Sequence, residues 1–126
     1  MRKVKNDGKQ QATPMGGTFE IIEAYKSLRA NLLFSLANAQ KKIVVVSGAE
    51  PDVGKSTTSS NLAVMMAQTG SRVLLIDADL RKPTLHKTFH VSRSDGLTKC
   101  LLRSGDWESA IVKEVATHLD LLPSGP

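Results

Sequence analysis

Cysteine occurs once in this chain of 126 residues, as Cys100. One thiol closes no internal disulfide, which excludes a disulfide-stapled small domain and makes a cytoplasmic, reducing compartment the simplest reading. Cys100 lies in the apolar stretch Leu97 to Leu102, where a buried structural thiol is expected rather than a nucleophile. Aromatic residues are scarce as well, at 4%. That is too few for the stacking platforms of single-stranded nucleic-acid binders, and no nucleic-acid partner is expected. No apolar run approaches the ~20 residues of a membrane helix. Met1-Arg2-Lys3-Val4-Lys5 lacks the apolar core of a signal peptide. His86, His90 and His118 show no metal-ligand spacing, and Trp107 reads as a packing residue.

What remains is an ordinary globular composition, sufficient for one domain with a modest core. The net charge of +5 is concentrated at the start, in Arg2, Lys3, Lys5 and Lys9. Residues 1–17 read as a disordered, solvated basic tail that ends in the breaker pair Gly16-Gly17. Contact with an anionic membrane surface or nucleic acid is the other reading of that tail. Residues 18–126 read as the folded domain. Thr18 is a candidate N-cap for a helix over 18–38, in which Ile21, Ile22, Tyr25, Leu28, Leu32, Leu33 and Leu36 recur at helical spacing. Its polar face carries Glu23, Lys26 and Arg29 in line.

Ile43-Val44-Val45-Val46 predicts a strand through Ser47, and Ser56 to Gln68 a helix stopped by Gly70. Arg72 to Ile76 predicts a second buried strand. Leu80 to Ser94 is loop-like, Gly96 to Leu102 a short helix, and Asp106 a cap for a helix through Trp107, Ala110, Ile111 and Val112. Leu119-Asp120-Leu121-Leu122 predicts a third strand. Alternating strands and helices imply an α/β fold with a parallel sheet and right-handed crossovers.

Between the first strand and its helix stands Ala49-Glu50-Pro51-Asp52-Val53-Gly54-Lys55-Ser56-Thr57, a Walker A phosphate loop in its proper strand–loop–helix context. Backbone N–H groups and the positive end of the helix converge there on polyphosphate. Gly54 permits close backbone approach. Lys55 reaches the β- and γ-phosphates, and the Ser56 hydroxyl ligates Mg2+. The candidate nucleotide-binding set is therefore Glu50, Pro51, Asp52, Val53, Gly54, Lys55, Ser56 and Thr57. A second pair, Asp77 and Asp79, follows the next strand. Ligands of open α/β sheets bind at the carboxyl ends of the strands. Carboxylates there hold Mg2+ and orient or deprotonate a nucleophile. Arg81 and Lys82 come next, either steering phosphate or an acidic partner or simply solvated.

Taken together, the phosphate loop, Asn61-Leu62-Ala63 and Val73-Leu74-Leu75-Ile76-Asp77-Ala78-Asp79-Leu80-Arg81-Lys82-Pro83 resemble the bacterial tyrosine kinases. They resemble most closely the cytoplasmic kinase of capsular and exopolysaccharide synthesis. Glu23-Ala24-Tyr25-Lys26-Ser27-Leu28-Arg29-Ala30-Asn31 is similar to that family's oligomerisation helix, and Leu119 to Pro126 to its following segment. The resemblance implies a P-loop NTPase-like sheet and a transferase that moves the γ-phosphate of ATP to tyrosine hydroxyls. It implies ATP and Mg2+ as cofactors, with Lys55, Asp77 and Asp79 catalytic and Ser56 and Asp77 at the metal. It implies a transmembrane activator or adaptor that recruits the kinase to the inner face of the plasma membrane, a homo-oligomeric ring through Glu23, Lys26 and Arg29, and tyrosine-bearing protein substrates.

Four departures stand out. The family is longer, and its Walker B strand is expected beyond Pro126. Its C-terminal tyrosine cluster is missing, and Tyr25, the one tyrosine, sits on the apolar helix face. Lys26 replaces an arginine of the Glu-x-x-Arg-x-x-Arg motif, keeping charge but losing the planar fork. Asp52 stands where glycine is usual. A full negative charge about 4 Å from phosphate costs roughly 4 kcal/mol at an effective dielectric near 20, so Asp52 is expected to point away or lean on a cation. Two other readings compete with the kinase. One is a partitioning or division-site P-loop ATPase, which carries lysine where this chain has Glu50. The other is a non-catalytic fragment that binds nucleotide or docks to an oligomer.

Overall fold

The computed structural model describes residues 19–40, 42–47, 55–102 and 107–126. The tail over 1–17, the Thr18 cap, Glu50 to Gly54 and the Gly105-Asp106 turn lie outside the described residues.

Helix α1 spans Phe19–Leu36 and helix α2 spans Lys55–Ala67. Strand β1 is Val73–Ile76. The short helices α3, Leu85–Thr88, and α4, Leu97–Leu102, come next. A 3-10 turn at Glu108–Ala110 precedes β2, Val112–Ala116, and β3, Leu119–Leu122. The sheet order is β1-β3-β2. β1 and β3 run parallel, from Val73 opposite Leu119 to Ile76 opposite Leu122. The α/β class and the parallel pair follow the sequence reading.

β3 is central and its side chains are the most deeply placed, with Leu119 and Leu121 fully buried. They pack with Ala63 and Ala67 of α2 and with Leu85 and Phe89 at α3. The alanines are four apart, on one helix face, and their small side chains let α2 lie close to the sheet. Gly70 ends α2 at φ +96°, where its N–H donates to the Ala67 carbonyl, a left-handed stop that glycine accepts without strain. Lys42 Nζ donates to the Leu36 and Ala39 carbonyls at 2.9 and 3.1 Å, satisfying acceptors at the C-terminal end of α1. Tyr25 is half-buried on α1.

Four local expectations are corrected. Residues 42–47 form no strand, and Ile43 and Val45 are 72% and 83% exposed. An extended run gains its ladder only from a neighbour, and no described strand lies beside this one. A cavity of about 400 Å³ separates it from β1, lined by Val44, Val46, Val73 and Leu75 and by Leu33 and Leu36 of α1. Second, the helix expected from Asp106 to Val112 is only the 3-10 turn, and Val112 instead opens β2, antiparallel to β3. Val112 and Val115 are β-branched, and they suit a half-buried strand. Third, a helical turn forms at Leu85–Thr88 within the expected loop, because Leu85 enters the core. Fourth, Trp107 is 49% exposed rather than packed.

The β2–β3 connection is the two-residue turn Thr117-His118, with His118 left-handed at φ 60°. Glu114 is also left-handed, φ 51°, at an irregularity in the β2–β3 register. Its N–H donates to Asp120 Oδ1 at 2.9 Å, and its carboxylate accepts the His118 N–H at 3.0 Å. Arg72 and Lys113 both approach Asp120 Oδ2, at 3.6 and 3.8 Å.

Candidate functional site

Parallel pairing brings the carboxyl ends of β1 and β3 to one edge. β1 delivers Asp77 there, and the Asp77 N–H still donates to Leu122 O at 3.0 Å. β3 delivers Pro123, Ser124 and Gly125, all buried. Segment 123–125 is held by the start of α4, where the Leu97 and Thr98 N–H groups donate to Pro123 O and Ser124 O, each at 2.8 Å. Gly96 makes this approach possible, since a Cβ there would stand 2.4 Å from Pro123 O.

The strand stops at Ile76, so the two-residue alternation does not carry through to Asp79. Asp77 turns inward, 5% exposed, and its carboxylate serves the backbone. Oδ1 accepts the Asp79 N–H at 3.1 Å. Oδ2 accepts the Thr84 and Leu85 N–H groups, each at 3.2 Å. One carboxylate thereby fixes the segment 79–85 against the end of β1 and satisfies first-turn donors of α3. Asp79 accepts the Lys82 N–H at 3.1 Å. Arg81 and Lys82 are exposed.

α2 begins at Lys55, so its positive N-terminal end opens at the place where the phosphate loop leads. Ser56 follows, half-buried, and Thr57 is exposed. The Thr84 hydroxyl donates to Ser56 Oγ at 2.7 Å. That bond joins the start of α2 to the segment anchored by Asp77, so the Walker A serine and the second aspartate motif share one edge. Thr84 did not emerge from the sequence. Its only signal was a hydroxyl residue opening a short helix just after Pro83, a pattern with many occurrences and no chemistry of its own. The Lys55 side chain and residues Glu50 to Gly54 lie outside the described residues.

On α1, Glu23 and Lys26 form an ion pair at 3.5 Å, both about half exposed. Arg29 departs from that line, and its Nη1 donates to Met65 O of α2 at 3.4 Å.

The oxygens on this edge are hydroxyls and carboxylates, the hard donors that Mg2+ takes. Among the described residues no group of three His, Cys, Asp or Glu could by itself hold a metal. Among the described residues no helix is long and apolar enough to cross a membrane.

Residues 40–126 match the family model described as "AAA domain". Tyrosine-protein kinase YwqD of Bacillus subtilis (strain 168) is 48% identical over 104 residues, covering 82% of this chain and 44% of that protein. The solved structure of the chimerical protein CapA2B2 superposes with a TM-score of 0.77 at 35% identity, covering 89% of this chain and 49% of that one. The kinase domain of Escherichia coli tyrosine kinase ETK superposes with a TM-score of 0.76 at 35% identity, covering 82% of this chain and 41% of that one. The chain thus spans less than half the length of each. With the phosphate-loop helix and the aspartate-anchored segment meeting at the carboxyl edge of the sheet, and with these likenesses in both sequence and fold, the chain belongs to the bacterial tyrosine-kinase branch of the AAA-domain family.

Proposed function

We propose that the chain is the ATP-binding portion of an autophosphorylating protein tyrosine kinase that regulates capsular or exopolysaccharide synthesis and export. The observation that carries this is the bond between Thr84 and Ser56, which puts the Walker A serine beside the segment held by Asp77. Lys55, with Glu50 to Gly54 and Thr57, would cradle the phosphates, and Ser56 would hold Mg2+. Asp77 spends three acceptor positions on backbone N–H groups, so its part at the metal is best served through water. Asp79 is then the better placed of the two to receive the tyrosine proton. Bound Mg2+ would neutralise charge on the phosphates.

The oligomer contact of α1 is proposed to run through Glu23 and Lys26, with Arg29 tying α1 to α2. Recruitment to the inner face of the plasma membrane by a transmembrane adaptor completes the reading, with tyrosine-bearing proteins as substrates. Glu50 favours the kinase over a partitioning ATPase, as it occupies the place of the signature lysine. Calorimetric titration of the purified protein with Mg2+·ATP tests the site. Lys55→Met is expected to abolish binding, and undiminished binding in that variant would refute the assignment. Transfer of labelled γ-phosphate to an added tyrosine substrate tests the activity.

A further inference from the structure

A threonine at a helix N-cap normally accepts a hydrogen bond from an N–H of its own first turn. Thr84 opens α3 and makes no such side-chain bond. The N–H groups of Thr84 and Leu85 donate to Asp77 Oδ2, and the Lys87 N–H, an ordinary partner of a capping side chain, donates to the Thr84 carbonyl at 3.0 Å. The Thr84 hydroxyl, which caps no N–H of its own helix, reaches Ser56 Oγ at 2.7 Å, the most favourable separation for an O–H···O bond.

We propose that Thr84 is a positioning residue for metal binding, holding the Ser56 hydroxyl in the orientation that presents it to Mg2+. This rests on the reading of Ser56 as the Mg2+ ligand. A serine hydroxyl has one proton and two lone pairs. Donation from Thr84 occupies one lone pair and fixes the rotor, leaving the second lone pair for a cation. Without that donor the hydroxyl rotates among staggered positions, and part of the metal affinity is lost to reordering it. Asp77 acts one step further back, by fixing the Thr84 backbone so that its hydroxyl points at Ser56. The chain of dependence runs from Asp77 through Thr84 to Ser56, and it links the two sequence motifs of the site through a residue in neither.

The test is titration of the purified protein with ATP, in Mg2+ and in EDTA, for Thr84→Val, Thr84→Ala, Thr84→Ser and Ser56→Ala. Valine keeps the shape and the backbone N–H to Asp77 while removing the hydroxyl. Thr84→Val and Thr84→Ala are each expected to weaken binding in Mg2+ about tenfold, the worth of one positioned hydrogen bond. Both are expected to leave binding in EDTA within about twofold, and Thr84→Ser to restore the Mg2+ enhancement. The EDTA arm separates positioning from damage to the fold, since a structural defect lowers both affinities alike. An unchanged Mg2+ enhancement in both Thr84→Val and Thr84→Ala, an equal loss in EDTA, or failure of Thr84→Ser to rescue would each overturn the proposal. Ser56→Ala separates the two layers. If it keeps the Mg2+ enhancement, the assignment of Ser56 falls and Thr84 with it. If it loses the enhancement while the Thr84 variants keep it, only the role of Thr84 falls.

Discussion

Replacing Asp77 by alanine removes an acceptor of three backbone N–H groups from a site only 5% exposed. The Leu85 N–H is buried, and an unsatisfied donor there costs about 2–3 kcal/mol. The Asp79 and Thr84 N–H groups are partly buried, so water can reach them, and roughly 0.5–1 kcal/mol each is reasonable. Relief of the carboxylate's own desolvation offsets part of this. The expected destabilisation is about 2–4 kcal/mol, a large share of the stability of a small domain. Asp77→Asn keeps one acceptor oxygen but sets an NH2 group against at least one donor, and is expected to lose roughly half as much. Urea unfolding followed by circular dichroism, in EDTA and without nucleotide, measures both. A residue that served only as a metal ligand would show no such loss, because its partner is absent in that buffer. A change within about 0.5 kcal/mol, the range of ordinary surface substitutions, would refute the anchoring role. If the loss is found, inactivity of an Asp77 variant reports the fall of segment 79–85 as much as any missing chemistry.

Gly96→Ala would place a methyl 2.4 Å from Pro123 O and 2.5 Å from Gly125 N; both are backbone atoms, so α4 must shift, and thermal unfolding is expected to show a loss of about 1–3 kcal/mol. Leu121→Ala opens a hole beside Ala63, Ala67 and Phe89 at a fully buried position. A loss of about 2–5 kcal/mol is expected in urea unfolding, and less than 1 kcal/mol would contradict its central placement.

Much of this fold was legible because the signals were local. Leu119 to Leu122 announces a buried strand by composition, and β3 forms there. Gly70 announces a stop, and α2 stops just before it. Ser56 and Asp77 were legible through their motifs, and they meet on one edge. What stayed hidden depended on distant partners. Val112 to Ala116 is a strand because β3 pairs with it, although the text before it reads as helix. Ile43 to Ser47 has strand composition but lacks a described neighbour. The role of Asp77 as an anchor depends on where the chain returns at Thr84 and Leu85, which no pattern at Asp77 reveals. Thr84 acts through a contact with Ser56, far back in the sequence, so its own surroundings give no hint of it.

β3 is the centre of the sheet and also the last described strand to be synthesised. The described partner of β1 is β3, so that pairing waits until the chain has been made through Leu122. At roughly 5–20 residues per second that wait lasts some seconds. Once Leu122 has emerged, β2 and β3 close over a two-residue turn within roughly microseconds, the timescale of a hairpin. Folding of the sheet is thus expected to begin with that hairpin and to proceed backward along the chain, capturing β1 by a long-range contact that sets the rate. The carboxyl edge that carries Asp77 gains β1 only by that last capture, so assembly of this edge and closure of the described sheet are a single event.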